Sequence, residues 1–144
     1  MSAPILWPDD PDAPAEAFGG KAGALRRLAD LPIPPFFVVA PDAWRASRAA
    51  VGLYPDDREI VPSPEIAAAI GDAVARLDPS PRARFAVRSS ALDEDGSGHS
   101  FAGQLDSFLN VAPDAVAARV AEVWRSGFSL RVRAYRKERG LDPD

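Results

Sequence analysis

The segment Phe85-Ala86-Val87-Arg88-Ser89-Ser90-Ala91 ends a short apolar run in an arginine and two serines. Ser100-Phe101-Ala102-Gly103-Gln104 and a second apolar run, Phe108-Leu109-Asn110-Val111, follow it. This order reads as strand, anion-handling loop, strand. The chemistry it suits is phosphate binding: arginine presents a planar fork of donors to phosphate oxygens, and small residues let backbone N–H groups reach the same oxygens. A second element, Gly19-Gly20-Lys21-Ala22-Gly23-Ala24-Leu25, has the same character. Two glycines set a tight turn at a helix start, where the dipole is positive, and Lys21 adds a mobile point charge. A lysine at that end of a helix is electrostatically unfavourable by itself, so it invites an anion. The Walker spacing of glycine, four residues, then Gly-Lys-Ser/Thr is not met, so this is not a P-loop.

Taken in order, Gly-Gly-Lys-x-x-x-Leu, Val-Arg-Ser-Ser-Ala-x-x-Glu-Asp, Ser-Phe-Ala-Gly-Gln and Phe-Leu-Asn-Val resemble the N-terminal part of the ATP-grasp domain of the phosphoenolpyruvate synthase and pyruvate phosphate dikinase family. Rifampicin phosphotransferases are among its members. The resemblance runs from about Trp7 to the C-terminus. It implies that Lys21 contacts phosphate and that Arg88 acts catalytically, clamping the transferring phosphates of ATP. It also implies that Ser100, Gly103 and Gln104 belong to a phosphate-covering loop and that the Ser107 hydroxyl donates to a phosphate. Mg2+ is expected to arrive with the nucleotide and to be held by carboxylates of a second ATP-grasp lobe. The phosphoryl group is expected to pass to a histidine on a separate swivelling domain. Family members are much longer, and Asp144 falls about where the second lobe would begin. The expectation is therefore a first lobe, excised or naturally separate, that is incomplete as a catalyst.

Several residues carry blander readings. Asp93-Glu94-Asp95 is an acidic run, read as solvated because its charge repels ATP. His99 lies in the loop Gly96-Ser97-Gly98-His99-Ser100 and is read as an exposed loop residue, since the family's acceptor histidine belongs to another domain. Ser107 stands where relatives commonly have threonine, and Leu105 where a polar glutamine is common. Two other functions compete. One is a stand-alone, non-catalytic or split-subunit module that docks a partner carrying the remaining domains. The other is a lobe of an ATP-dependent ligase or antibiotic phosphotransferase.

Composition narrows the field. With 144 residues, 47% hydrophobic and 26% charged, the chain can bury one ordinary core, so a single domain spanning 1–144 is expected. A formal net charge of −4 is opposite to a nucleic-acid footprint. The absence of cysteine excludes disulfides and thiolate metal sites, and one histidine cannot make a zinc cluster. No apolar run approaches the roughly 20 residues that span a bilayer, and no basic-then-apolar leader is seen. The expected partners are thus ATP and further domains, with no nucleic acid and no membrane, in the cytoplasm.

The fold class expected is α/β (α+β): a small mixed or antiparallel sheet of about four or five short strands covered by helices. Ile5-Leu6-Trp7 reads as a strand, followed by the acidic, proline-rich connector Pro8 to Pro14. The Gly19 helix carries Leu25, Leu28 and Ala29 as its apolar stripe, and the prolines from Pro32 stop it. Phe36 to Ala40 is a buried strand, Pro41 to about Ala50 a helix, and Gly52 to Ser63 a mobile loop. Ser63-Pro64-Glu65 starts a helix whose Ile66, Ala69, Ile70, Ala73, Val74 and Leu77 share one face. A long helix from Asp114 aligns Val116, Val120, Val123, Trp124 and Phe128. A basic helix from Arg131 to Arg139 follows a break near Gly127.

Overall fold

The computed structural model describes residues 3–28, 30–51, 60–89, 107–126 and 137–140. In chain order they form β1 (Ile5–Leu6), a 3-10 turn (Ala15–Phe18), α1 (Gly19–Arg27), β2 (Val38–Val39), α2 (Pro41–Val51) and α3 (Pro64–Leu77). Then come β3 (Phe85–Arg88), β4 (Ser107–Val111), a second 3-10 turn (Pro113–Ala115) and α4 (Val116–Ser126). The class is mixed α/β, and both strand pairings are antiparallel, β1 with β2 and β3 with β4. The four strands make two separate ribbons where a single small sheet is expected. Prolines explain the shortness of the first ribbon: Pro4, Pro8, Pro34, Pro35 and Pro41 flank its strands and lack the N–H that would extend a ladder. For the same reason β2 is shorter than the Phe36 to Ala40 run from which it is cut.

The β1–β2 ribbon is apolar on both faces. Ile5 pairs with Val39 and Leu6 with Val38, so each pair shares one side. Ile5, Phe37 and Val39 pack against a cluster built on Ala43, Ile66, Ile70, Val74, Val111, Val116 and Val120. Leu6, Phe36, Val38 and Ala40 join a second cluster with Ala13, Phe18 and Ala22. The ribbon therefore sits between two small cores. At its edge, Trp7 stacks against Phe37 with ring centroids 5.6 Å apart, and the Arg76 guanidinium from α3 lies 3.7 Å over the Trp7 ring.

The α3 helix forms as the sequence dictates. Ser63 caps it by accepting from the Ile66 N–H at 3.4 Å, Pro64 opens it, and Ile66, Ile70, Ala73 and Val74 are buried. A cap of this kind is worth about 1 kcal/mol. The buried Ser47 hydroxyl of α2 accepts from the Ser63 N–H at 3.0 Å, tying the two helix ends together. Ile60 is fully buried, so the C-terminal end of the Gly52 to Ser63 stretch belongs to the core and not to a mobile loop; residues 52–59 lie outside the described set. Pro113–Ala115 forms a 3-10 turn, so the expected long helix begins at Val116 and not at Asp114. Phe128 and Arg131 to Arg136 are also outside the described residues. Lys137 and Glu138 are helical, as expected for the end of the basic helix, and Arg139 and Gly140 turn out of it with the Gly140 N–H donating to the Lys137 carbonyl at 3.2 Å; all four are exposed.

One expectation for α1 is overturned. Leu25 and Leu28 are 39% and 45% exposed, and the buried face is instead Phe18, Ala22 and Gly23. Small residues let the helix approach Leu6 and Ala40 closely, which turns the larger leucines outward. Ala29, the third residue of the expected stripe, is outside the described set.

The β3–β4 hairpin contains a register shift. Phe85 pairs with Val111 and Val87 with Phe108, so two residues of β3 span the same length as three of β4. Asn110 has φ 59, the left-handed conformation that such a bulge requires and that asparagine tolerates better than most residues. Phe108 and Val111, three apart in sequence, consequently both reach the core beside Phe85 and Val87. Leu109 is left 66% exposed. Replacing Asn110 by valine should lower stability by about 1–3 kcal/mol in urea unfolding, whereas Asn110→Gly should be nearly neutral. Equal stability of the two variants would show that the bulge does not depend on backbone conformation at this position.

Candidate functional site

Arg88 ends β3 and Ser107 begins β4, and the two are direct cross-strand partners. Antiparallel pairing holds their Cβ atoms about 4.5–5.5 Å apart. Val87 and Phe108 point into the core, so Arg88 and Ser107 share the outward face, and both are exposed. Every residue between them, from Ser89 to Asp106, runs from one of these strand ends to the other. Ser100, Gly103 and Gln104 fall on that stretch and lie outside the described residues, as do Asp93, Glu94, Asp95, His99 and Leu105.

Other arginines have partners close by in sequence. Arg45 pairs with Asp42 at 2.6 Å and Arg119 with Glu122 at 2.7 Å. Arg84 donates to the Ala83 carbonyl and Arg125 to that of Ala121. Among the described residues, no carboxylate, carbonyl or ring engages Arg88. An exposed guanidinium at a strand end, beside a hydroxyl and the mouth of a glycine-bearing segment, can receive the oxygens of a phosphate through two parallel N–H donors.

Lys21 is placed, through its backbone, in the first turn of α1. Gly19, just before it, has φ 70 and ψ −168, a conformation that belongs to glycine, and its N–H donates to the Glu16 carbonyl. This links the 3-10 turn to the helix. Phe18 occupies the N-cap position and supplies no side-chain acceptor, and the first turn holds no acidic residue. The positive end of α1 is therefore neither capped nor neutralised by its own side chains. Lys21 stands on the Phe18 side of the β1–β2 ribbon, and Arg88 on the Ile70 side. The described residues bring Arg88 and Ser107 together and leave Lys21 in the other layer.

Two open grooves, of about 330 and 360 Å3, lie elsewhere: one is lined by Trp7, Pro34, Pro35 and Arg76, the other by Leu6, Pro14, Pro41 and Arg45. Neither includes Lys21, Arg88 or Ser107. Among the described residues, no group of three or more His, Asp or Glu is placed to hold a metal ion. No described helix is long and apolar enough to cross a membrane. The positive φ of Gly19 agrees with the tight turn that the glycine pair implies, whereas the Asn110 bulge has as its sequence signal only a turn-prone residue inside an apolar run.

An exposed arginine and serine thus stand opposite each other on an antiparallel ribbon backed by helices. The chain belongs to the pyruvate phosphate dikinase AMP/ATP-binding domain family, whose model matches residues 58–144. That match includes Arg88, Ser100, Gly103, Gln104 and Ser107. Similar proteins include the prodigiosin synthesizing transferase PigC of Serratia marcescens, 36% identical over 88% of this chain and 16% of its own length. A rifampicin phosphotransferase of Streptomyces sviceus is 32% identical over 86% of this chain and 17% of its own. A phosphoenolpyruvate synthase of Aeropyrum pernix is 31% identical over 96% of this chain and 21% of its own, an alignment long enough to include Lys21. The chain thus spans a fifth or less of the first two relatives and about a fifth of the third.

The glycines of the α1 turn differ in kind. Gly19→Ala should cost about 1–3 kcal/mol in chemical denaturation, because alanine resists this backbone conformation. Gly23→Ala should instead stabilise by about 0.5–1 kcal/mol. A Cβ there meets only the flexible tip of Arg27, at 3.7 Å. A neutral Gly19→Ala would show that the turn is not held as described.

Proposed function

We propose that this chain is the first lobe of an ATP-grasp domain and that it supplies the phosphate-binding cations of an ATP-dependent phosphotransferase. The observation that carries the reading is the cross-strand pair of Arg88 and Ser107 at the mouth of the Ser89 to Asp106 segment, within the stretch matched by the AMP/ATP-binding family. ATP is the substrate. Arg88 offsets charge on the transferring phosphates, Ser107 donates to an oxygen, and the backbone around Ser100, Gly103 and Gln104 covers the phosphates. Lys21 adds charge at the uncapped start of α1. Positioning and charge stabilisation are what such a lobe contributes to phosphoryl transfer, and the acceptor is a histidine on a separate domain. The second lobe and the phosphohistidine domain join it in cis or in trans, in the cytoplasm, and the 1–144 unit is inactive by itself.

A second reading, a non-catalytic module that docks a partner, is favoured by one observation. Leu25, Leu28 and Leu31 recur at intervals of three residues and are 39%, 45% and 55% exposed. Such a row suits an apolar contact.

Two measurements test the first reading. Calorimetry of the 144-residue chain should show no micromolar affinity for ATP, and micromolar binding would refute the claim that the lobe is incomplete. In the protein assembled with its remaining domains, Arg88→Met should slow phosphoryl transfer from ATP by about 10²–10³-fold without lowering thermal stability, since the side chain is exposed. Transfer at the wild-type rate in that variant would remove Arg88 from the mechanism.

A further inference from the structure

Arg26, in the last turn of α1, commits its whole guanidinium to the chain that leads into that helix. Its Nη2 donates to the Asp10 carbonyl at 2.9 Å, Nη1 to that of Ala13 at 3.1 Å and Nε to that of Pro8 at 3.3 Å. The same group lies 4.5 Å over the ring of Phe18, which is fully buried and directly precedes Gly19. The connector is itself folded. Asp10 N–H donates to the Trp7 carbonyl at 3.1 Å, Ala13 N–H to that of Asp10 at 3.3 Å, and Asp12 N–H to the Asp10 carboxylate at 2.9 Å. Its carbonyls at Pro8, Asp10 and Ala13 converge on one cation.

We infer that Arg26 is a positioning residue for the phosphate-binding turn at Gly19 to Lys21, an inference that rests on the function proposed above for that turn. The guanidinium bonds connector, Phe18 ring and helix end into one unit. The start of α1 is thereby held from two sides: from behind by Phe18 in the small core, and along the helix by the fixed distance between Arg26 and the connector. The planar fork presents its donors to the three carbonyls in fixed directions, whereas an ammonium is a compact point charge on a flexible stem. Without the clamp, an acidic connector carrying Asp9, Asp10 and Asp12 is free to drift, and Phe18, the neighbour of Gly19, keeps its seat in the small core but loses the cation over its ring and the tie to the helix end.

Amide NMR on the 144-residue chain tests this, with and without millimolar ATP, for Arg26→Gln and Arg26→Lys. In Arg26→Gln, hydrogen-exchange protection at Asp10 and Ala13 should fall about tenfold or more, and the Gly19, Gly20 and Lys21 resonances should shift. Ile70 and Val74, in the other core, should hold. ATP-induced shifts at Gly19 to Lys21 should need about tenfold more nucleotide, with Arg26→Lys intermediate. The proposal is overturned if Asp10 and Ala13 keep wild-type protection. It is equally overturned if the connector loosens while Gly19 to Lys21 and their ATP response stay unmoved, which would make Arg26 a structural clamp alone. Should ATP move none of these resonances in the wild-type chain, the nucleotide reading of the turn fails, and the variant's shifts at Gly19 to Lys21 still decide the positioning role. If Arg26→Gln does not fold, the same readouts on Arg26→Lys decide it.

Discussion

The packing of the β1–β2 ribbon against a core on each of its faces is the constraint from which the rest of the arrangement follows. A strand pair only two residues long cannot hold itself together by hydrogen bonds. Its stability comes from the alternation Phe36, Phe37, Val38, Val39, Ala40, which sends successive side chains into opposite cores. One core gathers α1 and the 3-10 turn before it; the other gathers α3, α4 and the β3–β4 hairpin. Each is too small to stand alone, and the ribbon joins them. Because Ile5 and Leu6 also divide between the cores, sliding either strand by one residue would exchange the two sets of side chains and undo both.

This layering sets where the candidate phosphate groups stand. Arg88 and Ser107 are adjacent because the hairpin register makes them so, and that register depends on the Asn110 bulge. Lys21 belongs to the other layer and reaches its place through the Gly19 turn and the small side chain of Ala22, which packs with Leu6 and Ala40. The two positively charged elements are therefore fixed to one another through the ribbon. Arginine use follows the same division. Arg26, Arg76 and Arg119 bridge separate elements, through the connector carbonyls, the Trp7 ring and the Phe108 ring, while Arg88 faces solvent on the outer side of its ribbon. The proposed function takes this contrast as support.

Several features were legible because they are local. The cap and proline of α3, its apolar face, the strand at Phe85 to Arg88 and the return at Phe108 to Val111 all follow from neighbours a few residues apart, where side-chain period and capping chemistry dominate. Other features were not legible, because they are settled across the chain. Leu25 and Leu28 have the spacing of a buried stripe, yet the close approach of α1 to Leu6 and Ala40 selects its small face and leaves them outside. Ile60 sits in a proline- and aspartate-rich stretch and is nevertheless fully buried. Arg26 looks like any basic residue near a helix C-terminus until the connector folds around it.

By itself the amino-acid sequence determined the mixed α/β character, the main helices, the order of the phosphate-type motifs and, through them, the family. These reside in composition, periodicity and short patterns of residue types. Tertiary structure alone decided that the strands form two ribbons, that one ribbon packs against a core on each side, and that Arg88 stands opposite Ser107. It also decided which arginines are bound up in the fold. Such outcomes depend on register and on which surfaces exclude water together, and they are set by contacts between residues far apart in the chain.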